Sequence, residues 1–192
     1  HPAIQETYSK DRSTLTKQSG VSLLTPSSNE VKVNYGLPTL ATVSGQEFIK
    51  NPLLHREVFG PLSLVILCKD KEEVHKVIHS LEGQLTGTVL GEGDDAINYS
   101  ELIETLSEKV GRIIYNGAPT GVEVCPSMIH GGPYPATTDS RFTSVGTGAI
   151  QRWVRPFSYQ NWPNSLLPEA LKNENPLQIN RTVNGTLTNA TI

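Results

Sequence analysis

A few side chains in this sequence could do chemistry, and their spacing sorts them. Glu57-Val58-Phe59-Gly60-Pro61 sets a carboxylate and an aromatic ring one residue apart, ahead of a turn pair. An ionised carboxylate accepts hydrogen bonds from two hydroxyls, and an aromatic face offers apolar surface to a flat ring. As pattern alone, the same run also reads as a helix-end turn with a surface Glu. The two thiols are Cys68 and Cys125. A nucleophilic thiol needs a depressed pKa; Cys125 has a loop position that allows access, but no His adjoins it and Pro126 removes a backbone donor, so its activation is unsupported. Cys68 ends an apolar run and reads as a small buried residue. His75 and His79 have the spacing that puts two metal ligands on one helix face, yet no third ligand stands at a diagnostic distance, so a solvated helix face is favoured. His130, beside Gly131-Gly132, could meet a substrate or cap a turn. Arg141, Arg152 and Arg155 could each grip a carboxylate through two parallel N–H bonds. The Gly131-Gly132 and Gly146-Thr147-Gly148 groups open no helix after a strand, so they read as tight turns and not as phosphate cradles.

The elements that must position these groups follow from periodicity. Pro2 to Gln18 carries Ile4, Tyr8 and Leu15 as the thin stripe of a short helix ended by Gly20. Val21–Leu24 and Glu30–Tyr35 read as strands about the turn Pro26-Ser27-Ser28-Asn29. Ser44 caps a short helix that Pro52 ends. Residues 62–68 form an apolar strand, and a helix follows with Val74, Val77, Ile78 and Leu81 at helical spacing. Thr86–Leu90 is the next strand, Ile97 to Val110 a second helix bounded by Gly111, and Arg112–Tyr115 another strand. Strands alternating with helices predict an α/β fold with a mostly parallel sheet, because each helix returns the chain and covers a face. Residues 117–148 are rich in Gly, Pro, Ser and Thr and read as a long ordered loop, which contains Arg141. Ala149–Tyr159 returns to a strand-like pattern; residues 166–171 make a helical turn or two, and Asn173–Ile192 is a polar tail without period.

Composition narrows the function classes. A net charge of −3 with dispersed Lys and Arg gives no footprint for nucleic acid. No apolar run approaches the roughly 18–20 residues of a membrane span. Two Cys form neither a disulfide framework nor a metal-ligand spacing, which fits a reducing cytoplasm. The sequons at Asn98, Asn180, Asn184 and Asn189 are short patterns of the kind that arise by chance in Asn- and Thr-rich sequence.

Taken in order, Pro38-Thr39-Leu40, then Glu57-Val58-Phe59-Gly60-Pro61 a helix's length later, Arg112-Ile113-Ile114-Tyr115-Asn116 and Ile129-His130-Gly131-Gly132 resemble the landmarks of the aldehyde dehydrogenase superfamily over about residues 36–160. The family's usual Lys-x-Ser-Gly after its Gly-Gly turn is replaced here by Pro135-Ala136-Thr137-Thr138-Asp139-Ser140-Arg141. That departure, with Gly121–Cys125 and Arg152–Pro156, resembles the bacterial branch containing 2,5-dioxovalerate (α-ketoglutaric semialdehyde) and NADP-dependent fatty aldehyde dehydrogenases.

The resemblance implies the C-terminal part of a catalytic domain over residues 1–148, an oligomerisation strand at 149–162 that pairs with a second subunit, and a tail at 163–192. It implies that Glu57 accepts from the nicotinamide-ribose hydroxyls of NADP or NAD and that Phe59 packs near the nicotinamide. Thr120, Val122, Val124, Cys125, His130 and Arg141 become the candidate lining of the aldehyde tunnel. The family's nucleophilic Cys, general-base Glu and dinucleotide-binding unit lie upstream of its first landmark here, in a missing N-terminal part, so no residue of this chain is expected to be catalytic and the chain alone is expected to be inactive. The parent would be a cytoplasmic homo-oligomer that oxidises an oxo-acid semialdehyde or a fatty aldehyde to a carboxylic acid. The rival reading is a non-catalytic assembly or binding module built on the same fold.

Overall fold

The computed structural model describes residues 1–25 and 34–192, which fall into two compact units, His1–Trp153 and Val154–Ile192. The expected turn at 26–29 and most of the strand expected at 30–35 lie outside the described residues.

In the first unit, helix α1 (Pro2–Thr16) opens on proline, whose missing N–H has no helical partner to lose at that position. It buries only Tyr8 and Leu15, two turns apart, and leaves Ile4 exposed, as its thin stripe predicts. Strand β1 (Ser22–Leu23) runs antiparallel to β2 (Thr39–Ser44), which pairs in parallel with β3 (Leu62–Leu67) from Thr39 opposite Leu62 to Ser44 opposite Leu67. Alternation fixes the faces. Ala41 and Val43 of β2 are buried, and Leu62, Leu64 and Ile66 of β3 pack on a core of Leu15, Val43, Phe48, Leu54 and Val77. The opposite face leaves Val65 and Leu67 39% and 61% exposed.

Helix α2 (Gly45–Lys50) begins where Ser44 Oγ accepts from the Glu47 N–H at 3.2 Å, as expected. Asn51, not Pro52, ends it; Pro52 instead starts a 3₁₀ turn to His55, with the Asn51 side chain accepting from the Leu53 N–H. Helix α3 (Lys71–Ser80) is capped by Asp70, which accepts from the Glu73 N–H at 2.9 Å, while Glu73 Oε2 accepts from the Lys69 N–H at 2.7 Å. The bond from the Lys69 N–H compensates in part the burial of the Glu73 carboxylate.

A separate pair, β4 (Gln84–Val89) and β5 (Val110–Tyr115), is also parallel and is joined through helices α4 (Asp95–Asn98) and α5 (Ser100–Ser107). Parallel pairing therefore holds, but it is divided between two small sheets among the described residues. Helix α5 stops at Ser107 and Gly111 lies inside β5, so Gly111 is no helix terminator. Asn116 closes both strands in a left-handed conformation (φ 50°) that asparagine tolerates: its side chain accepts from the Gly91 N–H at 2.9 Å and donates to the Gly91 carbonyl at 2.8 Å.

From Gly117 to Gly146 no helix or strand forms, in keeping with the long loop. The strand expected from Ala149 is not seen: Thr147–Trp153 is a 3₁₀ helix, and 154–162 joins no ladder. Strand geometry needs a hydrogen-bonded neighbour, and among the described residues none pairs with this segment.

The second unit gives the polar tail at 173–192, which shows no period in sequence, a hairpin of its own. After the expected helical turns (Asn164–Leu166 and Glu169–Leu171), β6 (Arg181–Val183) and β7 (Thr186–Thr188) form a hairpin. Its turn residues Asn184 and Gly185 have φ of 49° and 83°, both positive as a type I′ turn requires. Buried Asn175 donates to the carbonyls of Ile179 and Asn189, and Arg181 donates to those of Lys172, Asn173 and Ala190. Polar bonds to backbone tie this unit together. Among the described residues, no helix is long and apolar enough to cross a membrane.

Candidate functional site

The turn that carries Glu57 and Phe59 enters β3 and is clamped from two sides. The Thr39 N–H donates to the Pro61 carbonyl at 2.9 Å, so the Pro-Thr and Gly-Pro landmarks start neighbouring strands side by side. The buried Tyr8 hydroxyl lies within donating distance of the Leu37 carbonyl (2.5 Å) and the Pro61 carbonyl (3.3 Å). Gly60 is required by the same contact, since a Cβ there would come 2.3 Å from the Tyr8 ring. The clamp leaves the reactive side chains outside. Glu57 is exposed with no hydrogen-bond or ion-pair partner among the described residues, and Phe59 is 63% exposed. The two do not share a cleft: Glu57 borders one of about 530 Å³ with Gln84, Thr86, Pro135 and Ala136, whereas Phe59 borders a crevice of about 90 Å³ against Tyr8.

The long loop is docked on β4 and β5 through backbone. A Cβ on Gly111 would come 1.9 Å from the Gly131 carbonyl oxygen, one on Gly132 2.4 Å from that of Gln84, and one on Gly83 2.0 Å from that of Pro133. Gly131 and Gly132 thus lie in close backbone contacts; neither sits in a turn or at a positive φ, so close approach of the two backbones, and not the tight turn expected, is what excludes a side chain there. Arg112 of β5 reaches into the preceding part of the loop, donating to the Gly121 carbonyl at 3.2 Å and approaching the Met128 sulfur at 3.5 Å. Arg112 was not among the candidates; a lone cation within an apolar strand run is the signal that marks it.

The tunnel candidates separate into groups. Thr120, Val122 and Val124 are exposed on the loop and border none of the clefts described here. Cys125 Sγ lies 3.4 Å from Ser127 Oγ, and among the described residues neither a His nor a cationic side chain bonds to it. His130 is fixed by its backbone: its N–H donates to Thr143 Oγ1 at 2.9 Å and its carbonyl accepts from both the Ser144 N–H and hydroxyl. Its Nδ1 is buried without a partner among the described residues. His130 borders a cleft of about 370 Å³ with Thr138 and Arg152, and this cleft shares Leu85, Pro135 and Ala136 with the one beside Glu57.

Arg141 does not present an open fork: Nε and Nη2 donate to the two Asp139 oxygens at 2.9 and 2.6 Å. The Arg141 side-chain bonds, then its backbone N–H, pull the Asp139 carboxyl down to about 2. A depressed carboxyl pKa contributes order that is full above the ordinary value near 4 and is lost as pH falls through about 2. A carboxyl-carbon NMR titration should therefore place the Asp139 midpoint near 2, and Arg141→Met should return it toward 4. An unchanged midpoint in the variant would remove the pair as the cause.

The remaining groups are structural. His75 Nδ1 meets Thr105 Oγ1 at 3.1 Å, and no cluster of three possible metal ligands occurs among the described residues. Burial, followed by the nearby Glu73 and Asp70, pushes the Cys68 thiol up, away from the thiolate.

The structure resembles betaine aldehyde dehydrogenase from Staphylococcus aureus with a TM-score of 0.55 and 16% identity, covering 77% of this chain and 29% of that one. No family model matches the chain. Among curated proteins it is similar to alpha-ketoglutaric semialdehyde dehydrogenase of Acinetobacter baylyi, 53% identical over 138 residues, which cover 72% of this chain and 26% of that protein. Alpha-ketoglutaric semialdehyde dehydrogenase 2 of Azospirillum brasilense is 49% identical over 146 residues, 76% of this chain and 28% of that protein. Over the matched part, the chain is similar to these aldehyde dehydrogenases, and it spans only about a quarter of those relatives' length.

Proposed function

We propose that this chain is part of an NAD(P)-dependent aldehyde dehydrogenase whose substrate is an oxo-acid semialdehyde, in preference to a fatty aldehyde. The observation that carries this reading is the similarity of about half the matched residues to two proteins named for α-ketoglutaric semialdehyde. The reaction consumes an aldehyde, water and oxidised cofactor and yields a carboxylic acid, reduced cofactor and a proton. When bound, the nicotinamide accepts the hydride.

The residues present fit a nicotinamide cofactor in two respects. Glu57 holds an unspent carboxylate in solvent, suited to accept from ribose hydroxyls, and Phe59 offers an uncovered ring to a planar group. Thr120, Val122, Val124, Cys125 and His130 border the aldehyde's path and select its size and polarity. The nucleophile and general base are supplied from outside this chain. Residues 149–162 make the contact between subunits, a role supported by the 80% and 67% exposure of Trp153 and Phe157.

The test compares NAD(P)H formation by the 192-residue chain with that by a full-length enzyme carrying it, with the assembly's mass measured by light scattering. The expected result is no turnover by the chain, and turnover of the semialdehyde by an oligomeric full-length enzyme. Turnover by the chain alone would overturn the assignment of the nucleophile, and a full-length monomer would remove the subunit role of 149–162.

A further inference from the structure

Asparagine is followed by glycine at two places, Asn116-Gly117 and Asn184-Gly185. Such a pair can modify itself: the glycine nitrogen attacks the asparagine side-chain carbonyl, and a residue without a side chain does little to obstruct the approach. Both asparagines are exposed, and both hold a left-handed backbone, with φ of 50° and 49°. Their side chains differ. The Asn116 carboxamide is bonded at both ends, accepting from the Gly91 N–H at 2.9 Å and donating to the Gly91 carbonyl at 2.8 Å, so it must leave both bonds before it can reach Gly117. The Asn184 carboxamide has no hydrogen-bond partner among the described residues, and the Gly185 N–H donates to nothing among them. Space differs in the same sense. A Cβ at Gly185 would meet nothing within 4 Å, whereas one at Gly117 would come 3.0 Å from Ile114 Cγ2.

We propose that Asn184 is a site of spontaneous conversion to isoaspartate, and that Asn116, in the same dipeptide, is spared. The Gly185 nitrogen forms a bond to the Asn184 side-chain carbon, and its proton passes to the departing amide, which leaves as ammonia and closes a succinimide ring. Water then opens the ring at one of its two carbonyls, giving aspartate or isoaspartate; no oxidant or reductant takes part. The turn must open for the attack. Its hairpin has only three residue pairs, Arg181 with Thr188, Thr182 with Leu187 and Val183 with Thr186, so this opening is local and leaves the rest of the chain folded. Isoaspartate routes the backbone through the former side chain and adds a methylene to a turn that fits two residues, so the strands lose their register. The product also adds one negative charge to a chain of net charge −3.

The test incubates the full-length enzyme at neutral and at mildly alkaline pH and digests it with trypsin. The peptides that begin after Arg112 and after Arg181 are then compared by mass and by fragmentation that separates isoaspartate from aspartate. Asn184 should convert roughly 10- to 100-fold faster than Asn116, the factor that two retained hydrogen bonds represent. Conversion should quicken at the higher pH, because the attacking nitrogen must lose its proton. In denaturant the two sites should convert at similar rates, which assigns the difference to structure. Asn184→Gln should slow conversion at that position, since its longer side chain must close a larger ring, and leave Asn116 unchanged. Equal rates in the folded enzyme, faster conversion at Asn116, or aspartate without isoaspartate at Asn184 would overturn the proposal. So would a difference between the sites that persists in denaturant.

Discussion

Gly111→Ala is expected to cost about 3 kcal/mol or more, the upper range for overpacking, because the added methyl has nowhere to go. Its Cβ would lie 1.9 Å from the Gly131 carbonyl oxygen and 3.0 Å from Gly132 Cα, and both neighbours are backbone that cannot rotate aside. Relief requires either the loop to lift from β5 or the strand to shift in its register with β4. Gly121→Ala is the matched control, since a Cβ there meets nothing within 4 Å and the position needs no positive φ. Its effect should stay within about 0.5 kcal/mol, as for ordinary surface substitutions. Urea unfolding of both variants in the full-length enzyme measures the difference. Equal midpoints would mean that the loop rests on the sheet far more loosely than the contacts indicate.

Glu57→Gln is expected to weaken NAD(P) binding roughly 10- to 100-fold while changing stability by no more than about 0.5 kcal/mol. The separation follows from the site. Glu57 bonds to nothing among the described residues, so its charge contributes little to the fold. Bound to two hydroxyls, the same charge would strengthen both bonds, and the neutral amide would forfeit that gain. Glu57→Asp keeps the charge on a shorter stem and should fall between. Equilibrium dialysis of cofactor against the full-length enzyme is the direct measurement, and undiminished affinity in Glu57→Gln would reassign Glu57 to the solvated surface.

Periodicity made much of the first unit legible. Tyr8 and Leu15 mark one face of α1, Ser44 and Asp70 mark helix starts, and the apolar run at 62–67 is β3. β2 was less visible, because Thr39, Ala41 and Val43 alternate with Leu40, Thr42 and Ser44, and small polar residues dilute the contrast on which a strand assignment depends. The hairpin of the second unit carried a clear signal in Asn184-Gly185, but the same residues also spell a sequon, and the turn meaning is the one the backbone realises. In the other direction, Ala149–Tyr159 reads as strand-like from Ile150, Trp153, Val154, Phe157 and Tyr159, yet Thr147–Trp153 is a 3₁₀ helix and 154–162 joins no ladder. Alternation states which face a side chain would take; it does not provide the neighbouring strand.

The site was legible by residue type and not by arrangement. Glu57 and Phe59 both stand uncovered, but they border different clefts, and spacing of two residues could not distinguish a shared cleft from a divided one. Arg141 fell to a competitor two residues away, Asp139, which a reading focused on cations passes over. Arg152 instead borders a cleft with His130, because the chain turns back after the Gly131-Gly132 contact.

The loop is seated on its sheet by glycines and peptide carbonyls at 83, 111, 131 and 132. Anchoring of this kind leaves Val122, Val124, Thr138 and Arg152 outside the close contacts. Such a scaffold can exchange the side chains of its loop while retaining its seat, so selection, or an engineer, can alter that surface without first repairing the fold.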